Sequence, residues 1–224
     1  MIRALRLTLG SLRKRGPAAT LGILATSAVD LWYDWRRGTR TAGWVALEEF
    51  SIDSPNREHG RAYQATPAFA FTKLMQKVPL PRDAGFVDFG CGKGRVLLLA
   101  GDAGFQRVTG IEFATELVAE ANDNIARWRA RNSTCDMRVV EGDVLHYSID
   151  AHDRVFFFFN PFDDVILDGV LDRIEESLRQ IPREAWIIYH NPLEGARIDA
   201  RPHFQRFASH TFWGNEFAVY RSAS

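Results

Sequence analysis

The segment Phe-Val-Asp-Phe-Gly-Cys-Gly-Lys-Gly at residues 86–94 constrains the fold of this chain more than any other part of the sequence. An apolar run leads to Asp88, glycines follow at every second position (Gly90, Gly92 and Gly94), and a second apolar run comes soon after them. This order predicts a buried strand, a tight loop and the first turn of a helix. Glycine permits positive φ angles and close approach of a ligand to the main chain, and the free N–H groups at a helix start attract polar ligand groups.

The spacing of these glycines distinguishes the loop from the common dinucleotide-binding loop. A dinucleotide fingerprint has the form Gly-x-Gly-x-x-Gly, whereas here the third glycine comes one residue earlier. The carboxylate of Asp88 favours a cationic or hydroxyl-bearing ligand over a diphosphate. The pattern Asp-x-Gly-x-Gly-x-Gly resembles the nucleotide loop of class I S-adenosylmethionine (SAM) dependent methyltransferases. A strand–helix junction that binds no ligand is the alternative for so short a motif.

Composition and charge narrow the class of protein. The chain has 224 residues, of which 46% are hydrophobic and 25% charged, and its formal net charge is zero. These values are ordinary for a soluble globular protein, and zero net charge makes nucleic acid an unlikely partner. Cys91 lies inside the glycine loop, where a disulfide would distort the site. The sequence therefore predicts two reduced thiols, Cys91 and Cys135, in a cytoplasmic protein.

Strand and helix patterns alternate after a stiff, proline-containing connector at residues 79–83. Strands are predicted at residues 86–90, 107–112, 137–141, 154–159 and 185–190, with a closing antiparallel pair at 203–209 and 216–220. Helices are predicted at 94–103, 114–131 and 163–179. This alternation predicts an α/β fold with a Rossmann-like, doubly wound, mostly parallel seven-stranded sheet. Residues 1–80 are predicted to form a helical extension that covers the cofactor, and residues 81–224 the SAM-binding domain.

Acidic residues follow two further strands at the edge where such sheets bind ligands. Glu112 ends the second strand, where a carboxylate can accept hydrogen bonds from both ribose hydroxyls. Asp143 follows the third strand and is predicted to accept from the adenine amine, with the main chain of Val144 nearby. The structural alternative for Glu112 is a solvated acid at a strand end, and that for Asp143 is an aspartate that forms a turn.

The fourth strand ends in the motif Asn160-Pro161-Phe162. Pro161 restricts its own φ angle and the conformation of Asn160, so the motif presents a fixed side-chain amide and a main-chain carbonyl. These two acceptors suit an amine nucleophile, and Phe162 is expected to form an apolar wall beside the sulfonium. A simple turn is the alternative, because Asn-Pro is a common turn dipeptide. At the end of the fifth strand, His190 or Tyr189 is a candidate proton acceptor, and a structural role is the alternative for both.

Taken together, four segments resemble a small bacterial group of class I SAM methyltransferases that is distantly similar to the non-SET lysine methyltransferases. They are residues 87–100, 110–112, 158–162 and 189–192. The upstream sequence Tyr63-Gln-Ala-Thr66-Pro67 resembles the cofactor-covering segment of that wider group, and the resemblance implies that Tyr63 and Thr66 contact the methionine end of SAM. Without it, Thr66 is predicted to cap a helix before Pro67. Amino methyltransferases with an Asn/Asp-Pro-Pro-Tyr/Phe motif are also similar, but this chain has one proline where they have two.

The N-terminal segment carries five basic residues between Arg3 and Arg15, followed by an uncharged run from Gly16 to Val29. The run is too short and too weakly apolar for a transmembrane helix, which needs about 20 apolar residues. A helix that packs on its own domain, or frays, is the expected structure. Weak contact of residues 1–15 with a membrane surface is the alternative, which would make the protein membrane-peripheral, and a cleaved export signal is the least expected.

The sequence thus predicts a SAM-dependent methyltransferase that acts on an amine nitrogen of a protein or small molecule. Its predicted catalytic residues are Asn160, Pro161 and Phe162. Its predicted cofactor-binding residues are Tyr63, Thr66, Asp88, Gly90, Cys91, Gly92, Gly94, Glu112, Asp143, Val144 and Asn160. No metal is expected, because the six histidines lack ligand-like spacing. A Rossmann-like protein that binds NAD or another nucleotide, and a SAM-binding module without catalysis, are the alternatives.

Overall fold

The computed structural model describes residues 17–52, 54–131 and 135–223. The basic segment at residues 1–15, for which a packed helix or a membrane contact is predicted, lies outside the described residues. Six helices run over α1 (Pro17–Arg37), α2 (Ala68–Lys77), α3 (Arg95–Asp102), α4 (Thr115–Arg129), α5 (Asp164–Gln180) and α6 (Gly195–Asp199) within these ranges. Strands run over β1 (Trp44–Val45), β2 (Tyr63–Gln64), β3 (Gly85–Phe89), β4 (Arg107–Glu112), β5 (Asp136–Glu141), β6 (Asp153–Phe158), β7 (Trp186–His190), β8 (Phe204–Phe212) and β9 (Asn215–Ser222).

A seven-stranded sheet forms the centre of the molecule, in the order β5-β4-β3-β6-β7-β9-β8. The first five strands in this order are parallel, and β9 pairs antiparallel with both β7 and β8. The prediction of a doubly wound, mostly parallel sheet with a closing antiparallel element is confirmed. The hairpin β8–β9 is longer than predicted, and it turns at Trp213 and Gly214, whose φ angles are +49° and +77°.

The two faces of the sheet are covered by separate hydrophobic clusters. Alternate residues of the central strand β3 point to opposite faces, so Phe86 joins the cluster beneath α2, α3 and α4, whereas Val87 joins the cluster beneath α5. Every residue of β3 is buried, as expected for a parallel strand that is covered on both faces. Tyr33 and Phe71, which precede the predicted domain boundary at residue 80, lie in the same cluster as Phe86.

A buried charged network joins α1 to the start of α3. The guanidinium of Arg95, whose side chain is 2% exposed, lies 2.9 Å from the Asp30 carboxylate and 3.3 Å from that of Asp34. Asp34 also accepts hydrogen bonds from the main-chain N–H groups of Thr41 and Ala42 at 2.9 and 2.7 Å. Buried charges are tolerated when they are paired and hydrogen-bonded in this way. Because Arg95 directly follows Gly94, the network fixes the N-terminal segment against the glycine loop.

We expect the substitution Asp34→Ala to lower the free energy of unfolding by about 3–5 kcal/mol, because it leaves Arg95 partly unpaired in the interior. Urea denaturation followed by circular dichroism measures this change. The control is Asp123→Ala, since the Asp123 side chain is 78% exposed and 3.9 Å from its partner Arg127. Equal stability of the two variants would show that the network does not hold α1 in place.

Candidate functional site

The glycine loop between β3 and α3 adopts the conformation that its sequence requires. The φ angles of Gly90, Gly92 and Gly94 are +79°, +52° and +81°, which residues with a side chain rarely adopt. The main-chain N–H groups of Gly90 and Cys91 both donate to the carbonyl of Ile111, at 2.9 and 3.0 Å. The loop is therefore hydrogen-bonded to the end of β4, and its glycines are needed for its shape.

Two neighbouring segments pack so closely on this loop that only glycine fits. A Cβ atom on Gly92 would lie 2.3 Å from the ring of Tyr63, and one on Gly90 would lie 2.3 Å from the Cβ of Pro161. The Tyr63 hydroxyl donates to the carbonyl of Thr41, so its ring is fixed above the loop. The predicted cofactor residues Tyr63, Gly90 and Gly92 and the predicted catalytic residue Pro161 therefore lie in one place.

Asp88 and Glu112 bring two buried carboxylates to this site. Their residues are 3% and 4% exposed, and both line one cavity beside the glycine loop. Burial raises the pKa of Asp88 well above its usual value, and the charge of Glu112 raises it further. Such a pair favours a ligand that brings positive charge or hydroxyl donors, because either would stabilise the ionised forms.

Hydrogen bonds fix the carboxylate of Glu112 in place. One oxygen accepts from the N–H of Gly92 at 2.8 Å, and the other accepts from Phe113 and Ala114 at 3.0 Å. Burial raises the pKa of Glu112, and these N–H donors act in the opposite direction. A carboxylate has about four acceptor positions, so the oxygen that faces Gly92 retains room for a ligand hydroxyl.

Asp143 is held by residues that the sequence analysis did not identify. Its carboxylate accepts from Ser54 at 2.9 Å, from the amide of Asn56 at 2.7 Å and from the N–H of Leu145 at 2.9 Å. Burial acts to raise the pKa of Asp143, but these hydrogen bonds outweigh it and the pKa is lowered. The predicted partner, an adenine amine, would have to share this carboxylate with Asn56 or displace it.

The segment 54–62, which we name the strap, crosses the motif that follows β6. Gly60 forms an antiparallel bridge with Phe162. The N–H of Arg61 donates to the Pro161 carbonyl at 3.1 Å, and the N–H of Asp163 donates to the His59 carbonyl at 3.0 Å. Residues 1–80 were predicted only in general terms to cover the cofactor, and no periodicity in the strap indicated which of its residues make these contacts.

Two small cavities lie beneath the strap. The inner cavity, of about 60 Å³, is lined by Tyr63, Thr66, Asp88, Gly92, Glu112, Phe157, Phe159 and Pro161, among others. The second, of about 30 Å³, is lined by Asn56, Gly60, Glu112, Gly142, Asp143, Val144, Pro161 and Phe162, among others. A water molecule needs about 10–15 Å³ of such space, so a nucleoside-sized ligand can enter only if the strap or Tyr63 moves outward.

Phe162, which is predicted to form a wall beside the sulfonium, does not line the inner cavity. Its ring belongs to the cluster beneath α5, 6.2 Å from that of Phe158, and it lines the second cavity with Asp143 and Val144. Phe157 and Phe159 instead form the aromatic wall of the inner cavity. The cause is side-chain alternation along β6, which turns Phe158 away from the inner cavity and its two neighbours towards it.

Asn160 adopts a left-handed conformation, with a φ angle of +43°. Its side-chain N–H donates to the carbonyl of Asn191 at 2.7 Å. Its side-chain oxygen is inaccessible to solvent and accepts from no partner among the described residues. A buried acceptor without a partner carries a free-energy penalty, and non-glycine residues with such backbone angles concentrate at functional sites.

Thr66 is 3% exposed and lines the inner cavity, but it does not cap α2. The first helical N–H, that of Ala68, donates instead to the Asp30 carboxylate at 2.9 Å, and the residue before the helix makes no side-chain cap. The prediction of a Thr66 cap, made without the family resemblance, is therefore wrong.

The two candidate proton acceptors on β7 point to opposite faces of the sheet. Tyr189 packs against Phe158 in the cluster beneath α5. His190 lies between the rings of Phe159 and Phe217, with centroid distances of 3.9 and 4.4 Å. Burial lowers the pKa of His190 to about 3, so this imidazole is neutral at physiological pH and packs behind Phe159.

We expect the pKa of His59 to lie above that of an unperturbed histidine, because its ring nitrogen hydrogen-bonds the Asp163 carboxylate at 2.6 Å. Since the folded-state pKa is raised, the ion pair is complete below the unfolded pKa and is lost as pH rises through the folded one. Histidine-selective NMR titration measures this value, and Asp163→Asn should return it towards the unperturbed one. An unchanged pKa in that variant would contradict the pairing.

Comparison with known proteins agrees with this geometry. Residues 86–180 match the profile of a family described as a methyltransferase domain. The putative methyltransferase yhhF from Escherichia coli is 18% identical with a TM-score of 0.56, and the alignment covers 81% of this chain and 99% of that one. The glycopeptide N-methyltransferase MtfA, in complex with SAM, is 15% identical with a TM-score of 0.55, covering 70% and 94%. At these identities the structures show a shared fold, and no curated protein sequence matches the chain significantly.

The residues present fit SAM as the ligand. Asp88 and Glu112 supply buried carboxylates for its cationic and hydroxyl groups, and Gly92 leaves room for a ligand at the main chain once Tyr63 moves. The family match argues against the alternative of an NAD-binding protein, because it is to a methyltransferase domain. Residues 86–180 thus match a methyltransferase domain, and the chain has the Rossmann-like fold of such enzymes.

Proposed function

We propose that this methyltransferase transfers the methyl group of SAM to an amine nitrogen and that Asn160 holds the acceptor. The observation that carries this proposal is the buried side-chain oxygen of Asn160, which lacks a hydrogen-bond donor among the described residues. The bond from its side-chain N–H to Asn191 orients the amide so that the oxygen, rather than the nitrogen, remains free. An N–H group of an acceptor amine would satisfy that oxygen.

The cofactor-binding residues have separate tasks in this proposal. Asp88 faces the cationic end of SAM, and Glu112 accepts from its ribose hydroxyls. Asp143 and Val144 adjoin the adenine in the second cavity, with Phe162 as an apolar wall on that side. Tyr63 and Thr66, which line the inner cavity, contact the methionine end.

Methyl transfer needs a neutral amine in line with the methyl group. Bound SAM supplies an electrophilic methyl carbon, so that the nitrogen lone pair forms the new N–C bond while the C–S bond breaks and sulfur retains its electron pair. The aromatic wall of Phe157 and Phe159 disfavours a charged amine, because burial in apolar surroundings stabilises the neutral form. The proton leaves to solvent before attack, since His190 is enclosed by Phe159 and Phe217.

The acceptor class favoured here is a protein or a small amine. A formal net charge of zero gives the chain no overall attraction to nucleic acid. The glycopeptide N-methyltransferase among the structural neighbours has the same fold, so this architecture is compatible with transfer to nitrogen. A SAM-binding module without catalysis is the second candidate, and the second experiment below separates the two.

We expect Glu112→Gln to weaken SAM binding by at least about tenfold, because loss of a charge-assisted hydrogen bond costs about 1.5–3 kcal/mol. Glutamine keeps one oxygen, so the loop retains an acceptor. Isothermal titration calorimetry with SAM measures the dissociation constant. Glu141→Gln is the matched control, because Glu141 ends the neighbouring strand β5 but is exposed and bonded to Thr115. Equal affinity of both variants would remove Glu112 from the cofactor site.

We expect Asn160→Ala to retain SAM affinity and to reduce methyl transfer by about 100-fold or more, the usual effect of removing one preorganised hydrogen-bonding group. Radiolabelled SAM incubated with the protein and lysate fractions measures transfer into protein, small molecules and nucleic acid. The control is Asn191→Gly, which keeps the main-chain carbonyl and tolerates the φ angle of +51°. Tight SAM binding without any transfer by the wild type would favour a binding module, and label in nucleic acid would contradict the proposed acceptor.

A further inference from the structure

Helix α1 has its polar residues turned inward and its apolar residues turned outward. The inward stripe consists of Asp30, Tyr33, Asp34 and Arg37, and the outward stripe of Ala28, Leu31, Trp32 and Trp35. Both sets have the spacing i, i+3, i+4, i+7, which places each on one side of a helix. In a helix that only packs on its own domain, the apolar stripe faces the core, so this orientation requires an explanation.

Specific bonds fix the inward stripe. Asp30 and Asp34 pair with the buried Arg95. The Tyr33 hydroxyl donates to Asp102 at 3.1 Å, and Arg37 pairs with the same carboxylate at 2.6 Å. The helix cannot rotate to bury its apolar side without breaking this network.

The outward stripe is correspondingly exposed. Leu31, Trp32 and Trp35 are 63%, 53% and 79% exposed. The guanidinium of Arg36 lies 5.3 Å from the ring centroid of Trp32, which places a cation at the margin of the apolar surface. Adjacent large apolar side chains of this kind mark an interaction site, whereas single exposed ones do not.

The part of the sequence that contains this stripe is basic. Residues 1–47 contain eight basic residues and two acidic ones, and both acids, Asp30 and Asp34, are bonded to Arg95. Tryptophan next to arginine is typical of side chains that lie at the membrane–water interface. We propose that the outward face of α1 binds the surface of an anionic membrane, with Leu31, Trp32 and Trp35 among the lipid headgroups.

This occupant fits better than a second copy of the chain. Two copies that met through this face would each bring the exposed Arg36 into the contact, and like charges oppose such contact. An anionic headgroup layer attracts basic residues, by about 1 kcal/mol for each one near the surface. No helix in the described ranges is long and apolar enough to cross a membrane, and the proposed contact lies within the interface.

Vesicle flotation of the full chain tests this proposal independently of methyl transfer. The vesicles consist of phosphatidylcholine, alone or mixed with phosphatidylglycerol. We expect the wild type to float with the mixed vesicles and at least tenfold less with phosphatidylcholine alone. Trp32→Ala/Trp35→Ala should lower the partition coefficient at least tenfold, because two large apolar side chains are removed from the contact. Trp44→Ala is the matched control, since Trp44 is 63% exposed but lies on β1, and it should float like the wild type.

Circular dichroism of each variant tests whether it is folded. We expect all of them to fold, because the substituted side chains are exposed. Failure of the folded wild type to float with the mixed vesicles, or equal flotation of the double variant, would overturn the proposal. Light scattering provides a further test. A dimer that the wild type forms and the double variant does not would also overturn the proposal, because that result assigns the face to a second copy.

Discussion

The buried pairing of Arg95 with Asp30 and Asp34 determines how the rest of the molecule is arranged. Arg95 follows the last glycine of the loop, so its guanidinium lies where the central strand gives way to α3. Burying a guanidinium is costly unless its partners are close and themselves hydrogen-bonded. Asp34 meets that condition through the main chain of Thr41 and Ala42. The same network therefore neutralises the charge of Arg95 and fixes the turn that follows α1. The chain continues from this turn to Tyr63, whose ring covers the glycine loop.

The strap gives the site a second constraint, since its residues bond groups that we propose to contact the cofactor. Asn56 and Ser54 bond Asp143, and Gly60 bridges Phe162. The cavities beneath are too small for a nucleoside, so cofactor entry exchanges some of these bonds for bonds to the ligand.

The sequence allowed the sheet, the glycine loop and the strand-end carboxylates to be predicted because local pattern determines them. Alternation and apolar runs locate strands, and glycine spacing reports a backbone conformation that other residues rarely adopt. The contacts of the strap could not be predicted, since residues far apart in sequence make them and no periodicity marks them. The surroundings of Phe162 could not be read from the strand pattern for a related reason, because β6 ends at Phe158 and the turn at Asn160 and Pro161 intervenes. The Thr66 cap failed because Asp30, on a distant helix, supplies the acceptor.

The orientation of helix α1 is a further feature that the sequence pattern alone does not determine. The sequence has two stripes with equal spacing on this helix, one polar and one apolar. The general preference for burying apolar residues predicts that the apolar stripe faces the core, whereas in the structure the polar stripe does. The buried guanidinium of Arg95 favours the polar stripe instead, because a charge left unpaired in the interior costs about 3–5 kcal/mol. Exposed tryptophans on α1 are thus a consequence of the pairing that positions the glycine loop. A membrane contact through this helix would hold the loop at a fixed height above the lipid, because the same ion pairs connect both.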